Sequence, residues 1–150
     1  MVLSLVSLLG CSGITGTRSS LPSLKIIKKA EIGSGWQMYQ LEINAPADSE
    51  LPILLKLADG DKVDGYYYLE EGNNLDFQIA GNSLIYKAEG QATGGSGKTA
   101  SSRFSFVASD AQGKSYTLTL SNGAKRDKVT VFLEVIYPVS GSIFFPLETK

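Results

Sequence analysis

The sequence predicts an all-β protein, an antiparallel β-sandwich or jelly roll of about eight or nine strands. Three observations carry this. From residue 24 onward the apolar residues recur at every second position rather than at helical spacing. Short clusters of Gly, Asn and Asp, the residues that favour turns, separate those runs. No stretch has the pattern of an amphipathic helix.

In chain order, residues 1–10, MVLSLVSLLG, are uncharged, and apart from Ser4 and Ser7 the run from Val2 to Leu9 is apolar. A bilayer span needs about 20 residues. This run instead has the length of a signal-peptide core. Leu8-Leu9-Gly10-Cys11 resembles the lipobox of bacterial lipoproteins, in which a diacylglyceryl group is attached to the cysteine and cleavage just before it makes it the first mature residue. Gly10 is small enough for a peptidase pocket, and Cys11 is the only thiol in the chain. The resemblance implies a cleaved signal at residues 1–10, lipidation at Cys11 and an extracytoplasmic protein anchored to the cell membrane. Leu9 is larger than the usual residue there, and no Lys or Arg precedes the apolar run. A plain cleaved signal and a buried amino-terminal strand therefore stay open as alternatives. Residues 11–23 are mostly small and polar, as a tether between lipid and domain would be.

The folded body is expected at 24–138. Tyr39, Leu41 and Ile43 alternate with polar neighbours, as do Leu75, Phe77 and Ile79. The same holds for Phe104, Phe106 and Ala108, for Tyr116, Leu118 and Leu120, and for Val129, Val131, Leu133, Val135 and Tyr137. Each of these is a strand with one wet face. Shorter runs at 24–32, 53–57, 66–69 and 83–87 complete the set. Asp59-Gly60, Gly72-Asn73-Asn74, Gly81-Asn82, Gln112-Gly113 and Asn122-Gly123 supply turns. A glycine-rich loop is expected from about 88 to 99, and an extended tail at 139–150.

Composition narrows the function. With 14 basic and 15 acidic residues and 43% hydrophobic content, the chain is neither disordered nor a basic nucleic-acid binder. It has no histidine, which removes the Ser-His-Asp triad, the imidazole base and His-based metal sites. One cysteine removes an internal disulfide.

Four patterns have the look of chemistry. Ala92-Thr93-Gly94-Gly95-Ser96-Gly97-Lys98-Thr99 fits a loose phosphate-binding loop. Such a loop works between a strand and a helix, whose amino terminus holds the phosphates, whereas here the exit alternates as a strand. No nucleotide is expected. Asp59, Asp61 and Asp64, with Glu70 beyond, form a degenerate calcium loop, although Val63 and Asp64 break its pattern and its flanks read as strands. A hairpin turn with solvated acids is favoured, and weak calcium binding is the alternative. Tyr66-Tyr67-Tyr68 and Trp36 are candidate ligand contacts. In a strand Tyr66 and Tyr68 share one face and Tyr67 takes the other, so the three cannot form one patch. Finally, Glu70, Glu71, Asp76 and Glu134 leave acid-pair catalysis open without favouring it.

The stretch from Tyr39 to Pro138 resembles a GOLD (Golgi-dynamics) domain, a β-sandwich of secretory-pathway cargo receptors and of many prokaryotic extracytoplasmic proteins. The likeness lies in an ordered set: Val63-Asp64-Gly65-Tyr66, Leu75-Asp76-Phe77-Gln78-Ile79, Arg103-Phe104-Ser105-Phe106, Tyr116-Thr117-Leu118 through Ser121-Asn122, and Lys128-Val129-Thr130-Val131. The receptors' cysteine pair is missing, with Thr119 and Leu120 in its place, so cargo sorting does not carry over. The resemblance implies a sandwich used for protein contact. The expectation is a non-catalytic binding or structural module without a cofactor, held to the membrane by its lipid and contacting a protein partner. The alternative is a carbohydrate-binding module with a structural calcium.

Overall fold

The computed structural model describes residues 21–92, 102–123 and 127–146. Ten strands form two antiparallel five-stranded sheets, with no α-helix among the described residues. The strands are β1 (Ser23–Glu31), β2 (Trp36–Ala45), β3 (Ser49–Lys56), β4 (Lys62–Glu71) and β5 (Asn73–Ala80). They continue as β6 (Leu84–Ala92), β7 (Ser102–Val107), β8 (Ser115–Asn122), β9 (Val129–Pro138) and β10 (Ser142–Phe144). The first sheet has the order β1-β2-β9-β4-β7 and the second β10-β3-β8-β5-β6. This is the expected sandwich. Cys11 and most of the tether lie outside the described residues, as does the greater part of the glycine-rich segment.

Alternation builds both layers. In β9 the side chains of Val129, Val131, Leu133, Val135 and Tyr137 are at most 1% exposed, and they meet Tyr116, Leu118 and Leu120 of β8, each at 0%. These two strands sit at the centres of their sheets, where both neighbours bury them. Each such side chain contributes about 1.5–3 kcal/mol by leaving water. Burial pushes the phenols of Tyr67 and Tyr137 above the usual tyrosine range. Tyr137 donates a hydrogen bond to Gln37 Oε1 at 3.0 Å. Tyr116 ties the 3-10 turn Asp110–Gln112 to the core, because its hydroxyl accepts from Ser109 N–H at 2.8 Å and donates to Ser109 C=O at 3.1 Å.

Two elements differ from the sequence expectation. β6 continues through Ala92, so the segment from 88 to 92 is a strand paired with β5 and not part of a loop. The tail contributes β10, which adds to β3 at Leu54, Leu55 and Lys56. Beyond it Phe145 packs edge-on against Tyr39 of β2, 5.7 Å between ring centroids, and joins the two sheets along that margin. Pro52 is accommodated because β10 stops short of it, leaving the side of β3 that needs no N–H donor.

Gly65 makes the tightest approach in the core. A Cβ there would lie 2.3 Å from Phe104 Cζ and 2.4 Å from the Glu134 carbonyl oxygen. Phe104 fills that place instead and reaches Phe77 of the opposite sheet at 5.4 Å, while Tyr67 meets Phe77 at 4.5 Å with the rings tilted by 38°. Gly65→Ala is therefore expected to lower stability by about 2–4 kcal/mol, read by thermal or denaturant unfolding. Because the raised phenols of Tyr67 and Tyr137 favour the protonated form in the fold, their contribution is complete below the unfolded tyrosine value and fades above it. Alkaline titration followed at tyrosinate absorbance should show these two rings ionising only together with loss of the fold.

Candidate functional site

The outer faces of the two sheets differ in kind. On the second sheet the outer side carries Thr117, the largely covered Thr119 and Ser121 from β8, Asp76 and Gln78 from β5, and Glu50, Pro52, Leu54 and Lys56 from β3. On the first sheet the same side carries rings. Tyr66 and Tyr68 of β4 stand beside Phe132 of β9, with Met38 and Ile136 in the next row. Phe132 lies 4.8 Å from Tyr68 at 14° and 5.7 Å from Tyr66 at 30°, and the two tyrosines are 6.3 Å apart at 16°. Near-parallel rings at these spacings gain about 0.5–1.5 kcal/mol per pair beyond their burial.

Beside the rings lies a groove of about 430 Å³, lined by Asp64, Tyr66, Arg103, Ser105, Glu134 and Ile136. The strand register explains the gathering: Tyr66 is opposite Glu134 on one side and Arg103 on the other, and Asp64 is opposite Ile136 and Ser105. Gln40 donates to Glu134 Oε2 at 2.7 Å. The hydrogen bond from Ser105 holds the Asp64 carboxyl below the usual aspartate range, and Lys62, 3.1 Å away, adds to this. Partial burial raises the phenols of Tyr66 and Tyr68, helped by Glu134 at the first and Glu70 at the second.

The sequence-predicted site residues separate. Tyr67 is 1% exposed in the core and offers no ring to a ligand, a correction that follows from strand parity. Tyr66 and Tyr68 remain together on the surface. Trp36 is half-buried at the head of β2 opposite Pro138, on the same outer face but at its end. The calcium trio does not converge. Asp59 Oδ1 accepts from Asp110 N–H at 3.0 Å and Asp61 Oδ2 from Ala58 N–H at 2.8 Å, whereas Asp64 stands within β4 and faces Ser105. Two of the acids brace a turn and the third belongs to the sheet, so the described residues hold no cluster of three metal-ligating side chains.

Phe132 and Ile136 were not singled out from sequence, and Arg103 entered only as part of the Arg103-Phe104-Ser105-Phe106 motif. A signal existed in β9, where Phe132 and Ile136 occupy the polar-parity positions of an otherwise alternating strand. The sequence matches no family model and no curated protein. The geometry of this face therefore carries the functional reading.

Asp64 has its carboxylate favoured by the fold, so its contribution is complete above the ordinary aspartate value and is lost as pH falls through the lower folded value. Its side chain is 41% exposed, which screens the interaction. Asp64→Asn is expected to cost under about 1 kcal/mol at neutral pH. The difference from the parent should vanish in acid, as chemical denaturation across pH would show.

Proposed function

We propose that the chain is a non-catalytic binding module, extracytoplasmic and held to the membrane through Cys11, whose first-sheet outer face grips a protein partner. The observation that carries this reading is the pair Tyr66 and Tyr68, half-buried on the outer face and stacked against the largely covered Phe132, beside Arg103. Tyrosine, tryptophan and arginine are the side chains that most often dominate protein–protein binding energy, and Trp36 lies on the same face. The polar groups around the rings supply the rim such contacts use.

The ordered motifs between Tyr39 and Pro138 support a GOLD-type module, and the lipobox resemblance supports the anchor. Carbohydrate binding is the second reading. It draws on the groove, where Asp64, Arg103, Ser105 and Glu134 surround the ring of Tyr66. The described residues offer no cluster of three ligating side chains for the calcium of that alternative.

Crosslinking in the native envelope, with photoreactive residues on this face, tests the reading. The Tyr66→Ala/Tyr68→Ala chain is expected to lose at least about 90% of the protein crosslinks, since rings of this kind carry ~2 kcal/mol or more each. A Thr117→Ala/Thr119→Ala chain, altered on the other sheet, should keep them. Unchanged protein crosslinks together with lost glycan binding would move the assignment to the saccharide. Intact mass of the membrane-extracted protein checks the anchor, and an unmodified Cys11 would remove it.

A further inference from the structure

The free edge of the first sheet combines charge with exposed apolar side chains. β1 presents Lys25, Lys28 and Lys29 to solvent, and between them Ile26 and Ile27 are 38% and 47% exposed. Ile26 is in register with Leu41 at the rim of the core, and the shift between Ile26 and Lys28 leaves Ile27 unpaired, so both stay partly exposed at the margin. Lysines and a bulge by themselves are the ordinary defence of an edge strand against pairing with another chain. Two adjacent exposed isoleucines are not part of such a defence, since each costs free energy in water.

The same margin repeats the combination. Phe144 of β10 is 47% exposed, and Lys56 Nζ lies 5.2 Å from its ring centroid. Phe145 and Lys29 both contact Tyr39, which brings β10 alongside the β1 edge. Among the described residues, neither Lys25 nor Lys28 has a carboxylate within ion-pair distance. Lys25 stands opposite Glu42 and Lys28 opposite Gln40, so three lysines outnumber the neighbouring carboxylate of β2, and with the apolar side chains beside them they complement a surface that is anionic at its headgroups and apolar just beneath.

We infer that the β1 edge docks on an anionic phospholipid surface, with Lys25 and Lys28 at the headgroups and Ile26 and Ile27 dipping below them. Eleven residues lie between Cys11 and Ser23, a reach of at most about 43 Å, so an anchored chain would hold this edge within range of the bilayer. One lipid signal seldom anchors a protein firmly without a second, and a basic edge serves as that second signal. The docked edge would turn β7 and the groove away from the membrane, since they lie at the opposite end of the sheet order.

The test uses the full chain with Cys11→Ser, so that no acyl group contributes, and phosphatidylcholine vesicles with or without about one third phosphatidylglycerol. The apolar run at residues 2–9 is common to every variant and cancels from the comparison. Binding is expected to be at least tenfold tighter to the anionic vesicles and to weaken at high salt. Lys25→Gln/Lys28→Gln should reduce it about 25-fold, at roughly fivefold per lysine. Ile26→Ser/Ile27→Ser should reduce it on anionic vesicles at every salt concentration. Lys87→Gln/Lys114→Gln, with the same loss of charge elsewhere, should bind as the parent does. Circular dichroism verifies that each variant is folded. Equal binding to both vesicle types, no binding to either, indifference to the Lys25 and Lys28 changes, or preference for a soluble polyanion over anionic vesicles would each overturn the inference. None of these outcomes depends on whether Cys11 is acylated in the cell.

Discussion

The ring of Phe104 lying over Gly65 is the contact on which the rest of this structure depends. A side chain at position 65 would collide with that ring and with the Glu134 carbonyl oxygen. Its absence lets β7 close against β4 and lets Phe104 reach Phe77 in the other sheet. Tyr67, two residues on, then points inward to the same ring of Phe77. Because strand side chains alternate, the inward course of Gly65 and Tyr67 obliges Asp64, Tyr66 and Tyr68 to point outward. One packing decision in the core thereby settles which tyrosines face solvent.

On the outside, two sheets built on the same pattern come to differ. The second sheet shows the threonine and serine expected of a wet face. The first keeps Phe132, Tyr66 and Tyr68 there, stacked on one another, with Met38 also largely covered. Mutual stacking limits the cost of leaving large rings at the surface. It also makes the cluster rigid before any partner arrives, which reduces the ordering that binding would otherwise require. Glu134, fixed by Gln40, and Asp64, fixed by Ser105 and Lys62, are ordered in the same way.

The margins of the sandwich are closed by different means. Along the β1 side, Phe145 crosses from the end of β10 to Tyr39, so the C-terminal strand acts as a clasp between sheets. Along the β7 side, Tyr86 of β6 approaches Phe104 at 6.4 Å and does similar work. Neither clasp involves a covalent link, in keeping with a chain that has one cysteine. A core of fully buried aliphatic and aromatic side chains is enough to hold a domain of this size.

Much of the fold was legible because alternation is local. The runs around Leu41, Phe77, Leu118 and Val131 state their own parity, and turn residues mark their ends, so a two-layer β architecture can be read from neighbours within a few positions. The opposed faces of Tyr66 and Tyr67 were legible for the same reason. The site was less so, because Tyr68 meets Phe132, and Tyr66 meets both Glu134 and Arg103, only through pairing of strands distant in sequence. The acids at 59, 61 and 64 illustrate the converse: close in sequence, they are parted because a turn ends and a strand begins between Asp61 and Asp64. By itself the sequence determined that strands form, which side of each is apolar and where the chain turns, since these depend on side-chain period and backbone preference. Only the tertiary structure decided the strand order and register, and with them which rings and charges share a face, because those are set by long-range packing that no local pattern encodes.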